Sequence, residues 1–369
     1  MKILLLGDYS NYHACLGDAL RRLGHEVTVA SDGGGFMKTD TSLPLHRPLP
    51  GPAGGALLYA RMLVDRRLRG YDVVSLIAPS FVTLRPARLR SIYKRLRQYN
   101  GKVFLGSVGT DKAIMDFLTA GDCPLRYNEY MAAGKPYKPN ESVLRENALW
   151  QVGEIGDWCE ELYDSVDGIT TALYEYHLAM ERRVDADKLA YTGIPIDLQA
   201  ICPLERELVA DGRLKLFLGI KSNRHIFKGT DRIERAARRV ARELPDKCEL
   251  LTVRDVPYRE YLKTIRKADI VLDQLYSYTP ATNALLAMAA GQATLSGGEP
   301  EYYDFIEEKD LRPVINCFPD DEELYNVIRN CVEHPEIVVK AGKEGRRFVE
   351  KHNDSMLVAR RHLDFWESK

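Results

Sequence analysis

Apolar and polar positions along this chain switch between two periods. Lys2 to Leu6 (KILLL) is a short, nearly unbroken apolar run, the pattern of a strand covered on both faces. After a polar loop, Leu16, Ala19, Leu20 and Leu23 recur at helical spacing, and Gly24 stands where it can end that helix. EVTVAS reads as a second strand, YDVVSLIAP as a third and KVFLGSVG as a fourth. A helix marked by Leu89, Ile92, Tyr93 and Leu96 lies between the last two. Strand and helix alternating in this way predict a parallel, doubly wound sheet.

The pattern weakens over residues 121–147, which are rich in Pro, Gly, Tyr and Asn and read as an irregular excursion. A helix near 157–166 follows, then GITTALYEYHLAMERR and a last strand in KLAYTGIPID. Pro195 and Pro203 bracket a linker. A second series then opens with RLKLFLGI and runs through the helix after Asp231, CELLTV, the helix 258–268 and DIVLD. The helix before Gly291, ATLSG and PVINCF complete it, and amphipathic helices near 321–331 and 335–366 close the chain. The expected architecture is α/β, with one doubly wound domain over residues 1–195 and another over 196–352. Two such domains facing each other imply a cleft. In such sheets ligands gather just beyond the carboxyl ends of the strands.

Composition narrows the classes. A length of 369 residues suits two domains, and 45% hydrophobic residues supply two cores. A net charge of -1 gives no basic field for nucleic acid. The seven cysteines are scattered, with no CxxC pair, as expected of reduced thiols. The opening MKILLLGDYS has too short an apolar run for a signal peptide, so a cytoplasmic protein is expected.

Chemistry is expected after the strands. GIKSNRHIFKGTD supplies Lys221, Arg224, His225 and Lys228 and then Gly229, directly before a helix that Asp231 and Glu234 can cap. Cations beside a helix N-terminus suit a diphosphate, and they can stabilise a departing one without a metal. Asp273, Gln274, Tyr276, Ser277, Tyr278 and Thr279 form a polar lead-in to the next helix. Thr279 reads as its N-cap with Pro280 at the first helical position, and Thr282 and Asn283 fall in its first turn. In SGGEPE, Gly297 and Gly298 permit close backbone approach, and Glu299 and Glu301 can accept from hydroxyls. Asp8, Tyr9, Ser10 and Asn11 follow the first strand and face the expected cleft, and Thr110 and Asp111 follow the fourth; helix capping is the simplest role for Asp111, and a catalytic role in the active site is its alternative. The three glycines of SDGGGFMKTD lack the GxGxxG spacing and read as a flexible loop. Asp185-Ala186-Asp187 matches a DxD pattern, but chance supplies it often and no metal is assigned. The basic helix 85–97 reads as a solvated face, with anionic headgroups of the inner membrane face as its alternative contact.

Taken in order, YTGIPIDL, LFLGIKSNRHIFKG, IRKADIVLDQ and LLAMAAGQATLSGGEPE resemble the GT-B glycosyltransferases of family four, also called glycosyltransferase group one. The resemblance implies two Rossmann-like domains, with a nucleotide-sugar donor on the C-terminal one and the acceptor on the N-terminal one. It also implies a final helix, 353–369, returning to the N-terminal domain. Lys228 takes the diphosphate lysine's position, with Arg224 or Lys221 as partner, and Val256 to Tyr258 lie where the nucleobase rests. The family's Glu-x7-Glu pair falls on Thr279 and Ala287 here, and its usual histidine on Val108. The function expected is sugar transfer from a UDP- or GDP-linked donor to a glycan or lipid-linked acceptor, retaining and without cofactor, in surface polysaccharide assembly. Lys228 and Arg224 would hold the leaving group. A non-catalytic scaffold of the same fold and a sugar-nucleotide epimerase are the alternatives.

Overall fold

The computed structural model describes residues 1–33, 41–132, 135–136, 138–204 and 212–369. Most of the loop carrying three glycines, residues 34–40, lies outside them. In chain order the strands are β1 (Lys2–Leu6), β2 (Glu26–Ser31), β3 (Leu43–Pro44), β4 (Val73–Leu76), β5 (Lys102–Ser107), β6 (Met131–Ala132) and β7 (Lys135–Pro136). They continue with β8 (Gly168–Thr171), β9 (Leu189–Tyr191), β10 (Leu214–Ile220), β11 (Cys248–Arg254), β12 (Ile270–Leu272) and β13 (Ala293–Leu295). The chain divides into two compact units: residues 1–120, 145–197 and 355–369 form the first, and residues 121–144 and 198–354 the second.

The first unit is built on a parallel sheet of order β3-β2-β1-β4-β5-β8-β9. Ile3, Leu4, Leu5 and Leu6 have no exposure, as an apolar run with helices on both faces requires. β1 connects to β2 on one side and is flanked by β4 on the other, so the sheet reverses its order between β1 and β4. That reversal opens a crevice at their carboxyl ends. The last helix, Ser355–Glu367, belongs to this unit. Its His362 meets the buried Tyr12 hydroxyl at 3.1 Å, and its Trp366 is buried against Phe104 (ring centroids 5.9 Å apart).

The second unit carries a parallel sheet of order β11-β10-β12-β13, reversing between β10 and β12. Helix Thr230–Glu243 buries Ile233, Ala237 and Val240 and turns Arg235, Arg238 and Arg242 outward. Helix Pro335–His352 lies against helix Thr282–Ala289 and β13. The close approach depends on Gly342: a Cβ there would stand 2.4 Å from the Gly291 carbonyl oxygen. The excursion 121–144 is part of this unit and contains the short antiparallel pair β6 and β7.

Several local expectations differ from the structure. Helix Thr230–Glu243 is entered through Gly229 in the left-handed region (φ 69°), with no side-chain cap. Asp231 is already inside it, and Glu234 pairs with Arg238 and Arg254 instead of closing a capping box. The next helix starts at Thr282 with Ala281, not Thr279, at the N-cap. Thr279 sits in a buried turn, where its carbonyl accepts from the Ser277 hydroxyl at 3.1 Å. PVINCF contributes an isolated parallel bridge, Leu295 to Ile315. The expected helix 335–366 breaks after His352, and the Ser355 N–H then donates to the Ile196 carbonyl at 2.9 Å. Five of the seven cysteines are buried (Cys15, Cys159, Cys248, Cys317 and Cys331). Among the described residues no helix is long and apolar enough to cross a membrane.

Gly342→Ala is expected to cost about 1–3 kcal/mol by forcing two packed elements apart. Urea denaturation of the variant beside the parent checks this, and an unchanged midpoint would contradict it.

Candidate functional site

β10 ends at Ile220, and a turn of helix at Ser222–Arg224 leads to Lys228 and Gly229. A non-glycine residue would be strained at Gly229, and its Cβ would press on Leu275 and Tyr276 at 3.0 Å. This forces the Lys228 backbone against the next loop, where its carbonyl accepts from the Leu275 N–H at 3.0 Å. The Lys228 ammonium sits 3.9 Å from Asp273 Oδ1, and its side chain is 33% exposed. It is therefore anchored at the β10/β12 crevice and still open on one side.

Asp273, the residue after β12, is buried. Its Oδ1 also accepts from Asn283 Nδ2 at 2.9 Å and its Oδ2 from the Ser296 hydroxyl at 3.2 Å. Asn283 Oδ1 in turn accepts from the Tyr261 hydroxyl at 2.6 Å. Burial pushes the Tyr261 phenol above its ordinary value, so it stays a donor. Asp273 thus joins the basic turn, the first turn of helix Thr282–Ala289 and the turn after β13. Thr282 and Asn283 begin that helix, whose free N–H groups suit an anion.

The other expected cations behave differently. Arg224 is exposed and lies over the Phe227 ring at 5.2 Å, and Lys221 is half-buried at the head of the turn. His225 turns to the helix that follows, 2.9 Å from the Thr230 hydroxyl. Beyond β11, Val256 and Tyr258 are half-buried, and Tyr258 stacks near Tyr261 (centroids 6.5 Å apart, 15° between planes).

The turn after β13 is tightly built. A Cβ on Gly297 would stand 2.1 Å from the Ser277 carbonyl oxygen, and one on Gly298 2.6 Å from Val314 Cβ. The Glu299 N–H donates to the Tyr278 carbonyl at 3.1 Å. The Glu299 carboxylate is 2% exposed and is held by the Arg126 guanidinium and the Tyr127 hydroxyl. The Tyr278 hydroxyl accepts from the Arg126 N–H at 2.7 Å. Glu299 and Tyr278 are thus engaged within the protein, whereas Glu301 is exposed, 3.3 Å from Arg126. Arg126 and Tyr127 were missed from the sequence. The only signal was a long stretch without periodicity inside an alternating α/β pattern.

In the first unit, Gly7 (φ 82°), Ser10 (φ 51°) and Asn11 (φ 66°) bend the chain sharply after β1. Asp8 Oδ1 accepts from the His13 N–H at 2.9 Å, tying the loop to the following helix. The Tyr9 hydroxyl lies 2.9 Å from the Ser80 hydroxyl, and its ring reaches the space beside Gly109, so the loops after β1 and β5 meet. Thr110 is half-buried there. Asp111 is fully buried and caps helix Lys112–Thr119 through the Ile114 N–H at 3.1 Å. Burial pushes its carboxyl up to about 7, against the pull of the Ile114 N–H and the Tyr163 hydroxyl. Burial also lowers His13 to about 4, leaving it neutral, with Nδ1 2.7 Å from the Gly7 carbonyl. Among the described residues no three His, Cys, Asp or Glu side chains converge as a metal site.

No protein-family model matches this sequence, and no curated protein matches it. Solved structures do. Anabaena HepE, in complex with UDP and glucose, matches over 100% of both chains at 13% identity with a TM-score of 0.59. Sucrose-phosphate synthase from Thermosynechococcus elongatus matches over 100% of this chain and 98% of its own at 12% identity, with the same TM-score, 0.59. The fold is GT-B. Within GT-B similarity also reaches a putative UDP-N-acetylglucosamine 2-epimerase from Listeria monocytogenes, at 12% identity, 98% and 94% coverage and a TM-score of 0.55. Identities this low carry the fold and leave the reaction to be argued from the site.

Asp111 gives a test of the site's electrostatics. A folded-state value near 7 lies above the ordinary 3.8, so the native state binds the extra proton between these values. Stability from this group therefore falls as pH rises from about 4 to about 7. Asp111→Asn keeps a capping oxygen and removes the titration. Melting curves should show the variant gaining on the parent across that window, with a constant gap above it; parallel profiles from pH 4 to 8 would refute the assignment.

Proposed function

We propose that this GT-B chain transfers a sugar from a nucleoside diphosphate sugar, UDP- or GDP-linked, to a glycan or lipid-linked acceptor. The observation that carries this reading is the strand order β11-β10-β12-β13 of the second unit. Beyond β11 lie Val256 and Tyr258, an apolar and aromatic edge for a base. Beyond β10 and β12 lie Lys228, Gly229 and the N-terminus of helix Thr282–Ala289, suited to a diphosphate. Beyond β13 lie Gly298 and Glu301, with close backbone approach and an exposed acceptor, suited to a sugar. Three strand spacings of roughly 4.8 Å separate the ends, so the three kinds of chemistry follow one another along a line of roughly 14 Å. A nucleotide sugar is a linear molecule with the same order of parts.

In the transfer, the bond from the anomeric carbon to the diphosphate breaks and the electron pair leaves on the phosphate oxygen. Lys228 stabilises that charge, with the N–H groups at Thr282 and Asn283 and with Arg224 or Lys221 as a second cation. The acceptor oxygen bonds to the anomeric carbon and its proton is released. Ser277, Tyr278, Thr279 and Glu299 shape the sugar end. Asp8, Tyr9, Ser10, Asn11, Thr110 and Asp111 of the first unit belong to the acceptor side. Retention at the anomeric carbon, transfer without a metal ion and a role in surface polysaccharide assembly in the cytoplasm complete the reading. The helix bearing the exposed Lys94 and Arg97 is its surface for the inner membrane face.

An epimerase acting on the same donor is the second reading, favoured by the similarity to the Listeria protein. Its products differ: an epimerase returns an isomeric nucleotide sugar, and a transferase releases the nucleoside diphosphate.

Titration with UDP and GDP beside Lys228→Ala is the first test. The variant is expected to lose roughly tenfold to a hundredfold in affinity for the nucleotide that binds the parent. If the parent binds neither nucleotide, the reading falls and a scaffold role takes its place.

A further inference from the structure

The excursion 121–144 lines two parts of the same edge. Tyr130 is fully buried and packs on Phe227, the residue before Lys228, with ring centroids 5.8 Å apart. Arg126 and Tyr127 close on Glu299 in the turn after β13. A single short stretch of chain therefore touches both the basic turn and the glycine-rich turn. The Glu299 carboxylate is sealed, with one oxygen on each of these two partners. The Arg126 side chain is 49% exposed and that of Glu301 44%, and the two stand 3.3 Å apart. They are a donor fork and an acceptor side by side, beyond the strand where the sugar end of the proposed donor falls.

We propose that Arg126 and Glu301 read the hydroxyls of the donor sugar, that Glu299 and Tyr278 are positioning residues for Arg126, and that this sugar is a neutral hexose. The inference rests on the nucleotide-sugar reading above. Neighbouring hydroxyls on a hexose ring each donate one hydrogen bond and accept others, so a guanidinium beside a carboxylate satisfies them jointly. Arg126 is fixed from behind: its backbone N–H donates to the Tyr278 hydroxyl, and its guanidinium is held by the Glu299 carboxylate, which water does not reach. The charges also decide between sugars. One arginine against Glu299 and Glu301 sums to -1, which repels a sugar carrying its own carboxylate.

The test is calorimetric titration of the full chain and of Arg126→Gln and Arg126→Lys with UDP, UDP-glucose and UDP-glucuronate. The parent is expected to bind UDP-glucose more tightly than UDP-glucuronate. In Arg126→Gln, UDP affinity should stay within about twofold while UDP-glucose affinity falls roughly tenfold or more. Arg126→Lys keeps the charge against Glu299 and loses the fork, so it should fold as the parent does and lie between the two. Equal losses for UDP and UDP-glucose in both variants would make Arg126 a structural residue only and overturn the proposal. Unchanged UDP-glucose affinity in both, or a parent that prefers UDP-glucuronate, would overturn it too. If the parent binds GDP and not UDP, the same comparison is made with GDP, GDP-mannose and GDP-mannuronate; a parent that binds neither nucleotide overturns the functional reading, and this inference with it, and that outcome differs from the others because it appears before any variant is made.

Discussion

A carboxylate removed from water must find donors, and the candidate donor site of this chain is organised around that demand. Asp273 is buried at the end of β12 and takes Asn283 on one oxygen and Ser296 on the other, with the Lys228 ammonium beside it. These partners come from the turns after β10, β12 and β13. Leaving any one of them out would strand a buried charge or a polar group, which is costly. One acid thus sets the mutual position of a cation, a helix N-terminus and a glycine-rich turn. The same acid restrains Lys228 without covering it.

Glu299 repeats the arrangement one strand further along. Its anchors come from far away in sequence: Arg126 and Tyr127 precede it by more than 170 positions. The consequence is that a segment inserted in the first series of strands belongs physically to the second unit. Carboxylates that look alike in SGGEPE therefore have different fates, Glu299 as an internal strut and Glu301 as an exposed acceptor.

The alternation of strand and helix was legible because buried parallel strands need unbroken apolar runs, and KILLL, DIVLD and LKLFLGI supply them. The basic turn was legible because Lys228-Gly229 stands directly before a charged amphipathic helix. Helix starts were less so. Thr279-Pro280 has the composition of a cap, yet the buried turn from Asp273 to Ala281 holds it two residues too early. The Arg126–Glu299 pair was illegible for a different reason. It depends on tertiary pairing alone: the glycine-rich turn marks Glu299, but no local period or motif marks Arg126 as its partner.

The order in which the chain visits its two units has a consequence for synthesis. It passes between them after residues 120, 144, 197 and 354, so neither unit is a continuous stretch. The sheet of the first unit is assembled early, yet the helix that covers Phe104 and receives Tyr12 comes last, in Ser355–Glu367. During translation that apolar face stays uncovered until residues 355–367 have emerged from the ribosome. A nascent chain with an open core of this kind is a natural client for a chaperone, and cutting the gene at residue 197 would yield a first half that cannot finish folding alone.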